Sequence, residues 1–155
     1  LNPGEADCIA IAGMGASTII SILEDDIELA QRATLLVLQP MAGAASLRAW
    51  LCSHGWQLAA EELVDDAPHF YEIIAAKRGS APAYSAAECA VGPLLLAQKH
   101  PLLGKQLERQ LASCRQLLEN MGRSERARAS EKYKEIEALK AELEVLQNGK
   151  RSDSK

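Results

Sequence analysis

The chain has 155 residues, 48% of them hydrophobic and 4% aromatic, with a net charge of −4. That suits one compact domain with an aliphatic core, or a small domain with an appendage. No stretch is apolar for long enough to span a bilayer, and with the polar opening Leu1–Glu5 no signal peptide is expected. The charge is uneven: residues 1–79 hold 4 Lys and Arg against 11 Asp and Glu, and residues 80–155 hold 13 against 10, so the two segments are expected to meet different partners.

The first strong signal is Cys8–Ala12, a short apolar run that reads as a strand buried on both faces. Gly13-Met14-Gly15 breaks it, and an amphipathic helix follows from Ser17, the expected N-cap, to about Ala30. Glu24-Asp25-Asp26 lies late in that helix, against the macrodipole, so a break is expected there with resumption near Glu28–Gln31. Thr34–Leu38 reads as a second strand, closed by Gln39-Pro40 because proline cannot extend a central strand. Ala45–His54 reads as a helix with Leu47, Trp50 and Leu51 on one face and Gly55 as C-cap. Trp56–Val64 and Phe70–Ala76 read as an antiparallel hairpin turned by Asp65–Pro68. Residues 8–79 therefore read β-α-β-α-β-β.

From Ser80 the strand signal disappears. Ser85 and Glu88 fit a capping box, Gly92-Pro93 interrupts that helix, and Pro101 is expected to start the next. Leu103, Leu107, Leu111, Cys114, Leu118 and Met121 recur at steps of four and three, as do Ala129, Tyr133, Ile136, Leu139, Leu143 and Leu146 after a turn at Gly122. This spacing predicts an antiparallel, coiled-coil-like helical hairpin, with a frayed tail from Asn148. The expected domains are residues 1–79 and 80–155.

Cys8, Cys52, Cys89 and Cys114 have neither metal-ligand nor C-x-x-C spacing and are expected to be reduced, buried thiols of a cytosolic protein. His54, His69 and His100 have no carboxylate or Cys partner by spacing, so no triad and no metal site is expected. Ala12, Gly13, Met14 and Gly15 form a Gly-rich turn at the carboxyl end of a strand, where ligands sit in open α/β sheets. Thr18 stands where the third glycine of a dinucleotide fingerprint belongs, which excludes a nicotinamide-dependent oxidoreductase. Gln39 and Pro40 close the neighbouring strand and add a group that can hydrogen-bond a base or ribose. Arg123, Arg126, Arg128, Lys132 and Lys134 cluster at the expected hairpin tip, where they can grip phosphates or simply form a solvated face with the interleaved glutamates.

Asp7–Gly15 resembles the D-x-I-x-I-A-G-M-G-G stretch of the bacterial tRNA (adenine(22)-N1)-methyltransferase family. Leu38-Gln39-Pro40, Leu47–Leu51 with Gly55-Trp56, Glu61-Glu62 with Phe70–Ile74, and Gly92–Leu96 resemble its later blocks. The resemblance runs in register from about Asp7 to Met121. Ala16 departs from it where the family has a second glycine. The family also carries an upstream half with the first three strands and the donor-binding loop, which this chain does not contain. With a first residue other than Met, the chain reads as a fragment: the back half of a Rossmann-like class I methyltransferase sheet plus the helical hairpin.

The resemblance implies a class I enzyme using S-adenosyl-L-methionine to methylate N1 of adenine 22 in tRNA, in the cytoplasm, without metal or membrane. It implies that Ala12, Gly13, Met14 and Gly15 hold the target base against the donor, that Gln39 and Pro40 flank the pocket, and that most of the donor's site lies upstream. It also moves the five basic residues from a solvated face to an RNA contact, and it assigns no catalytic residue. The alternative is a non-catalytic RNA- or protein-binding module made of the half-domain and the hairpin.

Overall fold

The computed structural model describes residues 7–152, with side chains to residue 149. The expected loop at residues 1–6 and the last residues of the expected frayed tail lie outside the described residues. The elements are β1 (Cys8–Met14), α1 (Ala16–Asp25), α2 (Ile27–Arg32), β2 (Leu35–Pro40), α3 (Ala44–Ser53), β3 (Trp56–Asp66), β4 (His69–Arg78), α4 (Ala86–Val91), α5 (Pro93–Ala97), α6 (Leu103–Met121), α7 (Glu125–Arg128) and α8 (Glu131–Ser152).

The sheet order is β1-β2-β4-β3. β1 and β2 are parallel, and β4 lies antiparallel between β2 and β3. The two crossovers through α1–α2 and through α3 advance across the sheet in one direction. Right-handed crossovers then put those helices on one face. That face holds the first core, where Ile19, Leu36, Leu38, Leu47, Leu51, Trp56, Ile74 and Ala76 are fully buried. A second core joins Leu63 of β3 to Val91, Leu95, Leu107, Leu111 and Leu143 of the helices, with Phe70 of β4 packed against it. The β3–β4 hairpin is thus shared: its start packs under α3 and its far end under α6.

The break in the first helix occurs where the acidic cluster requires it. Asp26 separates α1 from α2 and accepts a hydrogen bond from Leu29 N–H at 3.1 Å, so the residue that opposes one helix end caps the next start. The Ser85–Glu88 capping box is fully formed. Gly92 separates α4 from α5, which begins at Pro93. In the long hairpin, Leu103, Leu107, Leu111 and Cys114 of α6 and Ile136 and Leu143 of α8 are buried, as the 4-3 spacing requires. Gln106 near the start of α6 bonds the Val91 carbonyl of α4, and Glu142, Val145 and Leu146 in the second half of α8 lie against Ser85, Ala87 and Glu88 at the start of α4, so the two long helices run antiparallel.

Several boundaries differ from the sequence reading. β1 is not buried on both faces: among the described residues it pairs with β2 alone, Ile9 and Ile11 are half-buried toward the helices, and Cys8, Ala10 and Ala12 are exposed on the other face. The N-cap of α1 is Gly15, two residues before Ser17, with no side-chain cap. β2 runs through Gln39 to Pro40, which proline tolerates as the strand's last residue. His54 is the C-cap of α3, and Gly55 follows it with φ of 78°. Cross-strand pairing carries β3 to Asp66 and β4 back to His69, leaving a turn of Ala67-Pro68 with a cis peptide. α6 starts at Leu103, not Pro101, and the connection after Gly122 contains the one-turn helix α7. Cys114 alone of the four thiols is buried; Cys52 and Cys89 are intermediate and Cys8 is exposed, because β1 leaves its outer face open. His100 does have a carboxylate partner, Glu62 at 2.5 Å, from a strand 38 residues away in sequence.

Candidate functional site at the strand ends

The carboxyl ends of β1 and β2 lie side by side because the two strands are parallel and in register, with Ala12 opposite Gln39 and Met14 opposite Pro40. Between these pairs β1 carries one extra residue, Gly13, at φ of 75°. A bulge there needs a residue free of the Cβ penalty for positive φ. The extra peptide is held by Gln39, whose Oε1 accepts from Gly13 N–H at 3.0 Å, while its Nε2 donates to Met41 Sδ at 3.5 Å. Gln39 thus shapes the turn.

The two loops leaving the strands are also tied together. Met41 N–H donates to Met14 O at 2.8 Å, and Ala16 N–H donates to Ala42 O at 2.9 Å. Gly43 has φ of 78°, and a Cβ on it would sit 3.0 Å from Ala16 Cβ, so the close approach of the loops requires glycine there. Outside this seam the surface is open: a Cβ on Gly13 or Gly15 would meet nothing within 4 Å, and Met14 and Met41 are 41% and 55% exposed. Ala12, Gly13, Met14, Gly15, Gln39 and Pro40 therefore form one continuous surface.

A groove of about 480 Å³ adjoins it, between the loop Met41–Ala45 and the face of α6 that carries Arg109, Gln110 and Ser113. Glu72 of β4 also lines it. Behind Glu72 lies a buried ionic cluster. Arg48 Nη2 donates to Glu72 Oε2 at 2.8 Å, Arg48 Nε donates to Glu61 Oε1 at 2.6 Å, and Arg48 Nη1 donates to the Cys89 carbonyl at 2.8 Å. Glu61 Oε2 accepts from Leu94 N–H at 2.8 Å. Arg48 and Glu61 are fully buried. Burial works against the Arg48 charge, but Glu61 and Glu72 outweigh it and hold its pKa above the ordinary value. The cluster joins α3, the hairpin and the α4–α5 segment at one point. Arg48, Glu61 and Glu72 entered the sequence analysis only as members of the blocks that carry the family resemblance, with no role assigned, and Arg109 was not named. The available signal was an arginine inside the apolar stripe Leu47, Trp50, Leu51.

The five basic residues lie elsewhere. Arg123 is in the loop before α7, Arg126 and Arg128 are on α7, and Lys132 and Lys134 are in the first turn of α8, all exposed. Lys132 pairs with Glu135 at 3.6 Å and Lys134 with Glu131 at 2.8 Å. No ion pair joins the three arginines to a carboxylate among the described residues. No group of three or more His, Cys, Asp or Glu residues is placed to hold a metal ion, and no helix is long and apolar enough to cross a membrane, among the described residues.

Comparison with known proteins places this geometry in a family. The family profile described as tRNA (adenine(22)-N(1))-methyltransferase matches residues 1–148. The tRNA (adenine(22)-N(1))-methyltransferase of Bacillus subtilis (strain 168) is 29% identical over 151 residues, which cover 94% of this chain and 63% of that protein. The crystal structure of the B. subtilis m1A22 tRNA methyltransferase TrmK superposes with a TM-score of 0.78 at 26% identity, covering 95% of this chain and 65% of that one. Streptococcus pneumoniae Sp1610, solved in complex with S-adenosyl-L-methionine, gives 0.76 at 25% identity, with 95% and 63% covered. A Streptococcus agalactiae protein of the NADB-Rossmann superfamily gives 0.76 at 27%, with 91% and 60% covered. The chain thus spans a little under two-thirds of the curated relative's length, and it belongs to the tRNA (adenine(22)-N(1))-methyltransferase family.

Proposed function

We propose that this chain is the substrate-facing part of an enzyme that methylates N1 of adenine 22 in tRNA with S-adenosyl-L-methionine as donor. The observation that carries the reading is the open backbone of Gly13 and Gly15 beside Gln39 and Pro40, in a chain matched by the family profile over residues 1–148. A cofactor of that size fits against Ala12–Gly15, since open space lies over both glycines, but these residues supply only one wall. S-adenosyl-L-methionine, when bound, supplies an electrophilic methyl group. The chain's contribution is positional. Gln39 fixes the Gly13 peptide, Pro40 ends the strand, and the target base rests on this surface after extrusion from its stack. N1 of adenine already carries a lone pair, so no residue is assigned as a base.

Residues 1–79 would then form the methyltransferase half-domain and residues 80–155 the RNA-holding part, working in the cytoplasm. Arg123, Arg126 and Arg128 would contact the tRNA backbone, with Lys132 and Lys134 contributing less because each already has a glutamate partner. A non-catalytic binding module is the second reading, favoured by the open strand-end surface and the exposed basic hairpin tip, which can hold RNA without chemistry. Deleting the gene and mapping modified bases in total tRNA separates the two. Loss of N1-methyladenosine at position 22, restored by the gene, is the expected outcome. An unchanged level overturns the enzymatic reading.

A further inference from the structure

Glu72 and Arg109 line the same groove, yet no ion pair joins them. We propose that this groove is an adenine-nucleotide subsite, in which Glu72 accepts the exocyclic amine of the base and Arg109 pairs with its phosphate. The base is the target adenine of the tRNA-methyltransferase reading, lying on the Ala12–Gly15 surface with its amine edge turned into the adjoining groove; the chemistry of the subsite rests on the groove itself.

Glu72 is set up as an acceptor. Its Oε2 is taken by Arg48, and its Oε1 accepts no hydrogen bond among the described residues. The side chain is 13% exposed, so the free oxygen is directed by a buried partner, not by solvent. One guanidinium serves two carboxylates, Glu61 and Glu72, which leaves the cluster one negative charge in excess at the groove floor. An ionised carboxylate only accepts. It favours an amine-bearing base edge and repels the carbonyl that replaces the amine in inosine. An adenine methylated at N1 is also cationic, and a neighbouring carboxylate stabilises that charge.

Arg109 is set up as a phosphate donor. Its guanidinium lies 4.2 Å over the Phe70 ring, and Nη1 donates to Gln106 Oε1 at 3.4 Å. Stacking fixes the plane of the fork while leaving further N–H groups for a ligand, and a planar fork matches phosphate oxygens. Gln110 and Ser113 lie on the same side of α6 and add polar groups to that wall. A volume of about 480 Å³ is in the range of small-molecule sites. The groove is continuous with the Gly13–Gly15 surface through Met41, whose N–H bonds Met14 O.

The test titrates AMP, IMP and tRNA separately into the isotope-labelled 155-residue chain and follows backbone amide shifts. AMP is expected to move the amides of Gly43–Ala45 and Arg109–Ser113, and IMP to bind about tenfold more weakly, the discrimination of one charge-assisted hydrogen bond. Glu72→Gln should bring AMP and IMP within about twofold of each other. Arg109→Gln should weaken both nucleotides about tenfold and leave adenosine unaffected. Arg109 is exposed, so that variant folds even if Glu72→Gln does not. AMP shifts elsewhere, no shifts at all, or an unchanged AMP-to-IMP ratio in Glu72→Gln would overturn the subsite. If tRNA binds without touching the groove, the subsite alone fails. If tRNA does not bind at all, the tRNA reading fails whatever the nucleotides do.

Discussion

Arg48 shows what a single residue does in this fold. It is fully buried, yet it is the one cation among two carboxylates and a backbone carbonyl. Replacing it with methionine keeps much of the volume and removes the charge, leaving Glu61 buried with only the Leu94 N–H and Glu72 without a hydrogen-bond donor among the described residues. Breaking a buried pair from one side costs about 3–5 kcal/mol, because the remaining charge is uncompensated. Urea denaturation of Arg48→Met should show a loss of that size; a loss below about 1 kcal/mol would mean the carboxylates find other partners. Residues of this kind were hidden in the sequence. Leu47, Trp50 and Leu51 define the buried stripe of α3, and Arg48 sits inside its arc, but its type signals surface. His100 was equally opaque: its partner Glu62 comes from a strand 38 residues earlier. Gln39 and Gly13 were legible as neighbours, since adjacent parallel strands end together. Their hydrogen bond was not, because it depends on a bulge that adds one residue to β1.

At the scale of elements the sequence was far more informative, because periodicity and caps act locally. The 4-3 seam of α6 and α8, the Asp26 break and the Ser85–Glu88 box all follow from rules spanning a few residues. Ser85→Ala should therefore cost about 1 kcal/mol, read from a shift in the thermal or urea midpoint. The clamp between the hairpin and the helical segment is pH-dependent in a defined direction. A hydrogen bond from His100, then one from Leu63 N–H, holds the Glu62 carboxyl below its ordinary value of 4.5. A depressed carboxylate adds stability that is present above the ordinary value and is lost as pH falls through the folded one. The melting difference between the wild-type chain and Glu62→Gln should thus be present near pH 6 and fade below about pH 4. It should be small, since the Glu62 side chain is 59% exposed and screened. At the hairpin tip, Arg123, Arg126 and Arg128 changed together to Glu should weaken tRNA binding and flatten its dependence on salt, as lost phosphate contacts require. Unchanged affinity and slope would return these arginines to an ordinary solvated face.

At the scale of the whole molecule, β1 decides how the chain behaves in solution. Its sequence, Cys-Ile-Ala-Ile-Ala, is apolar on both sides, as for a strand inside a sheet. Among the described residues it has a partner on one edge only, and Cys8, Ala10 and Ala12 face outward uncovered. The sequence reading expected burial here because composition reports the surroundings a strand is suited to, and the neighbours that would supply them are not among these elements. An apolar edge of this kind is a template for pairing with another chain. The 155-residue chain should therefore self-associate as its concentration rises. Ala10→Lys, which adds a charge to the open face without touching the helix-covered side, should shift it toward monomer. Light scattering coupled to gel filtration across a concentration series reads both. The same open side predicts weak binding of S-adenosyl-L-methionine, since Ala12–Gly15 form one wall of a site whose other contacts would come from beyond β1. Calorimetry on the Ala10→Lys chain, where self-association no longer competes, isolates that effect. Tight binding there would mean that the strand-end surface holds the donor by itself, and the one-walled reading of the site would fall.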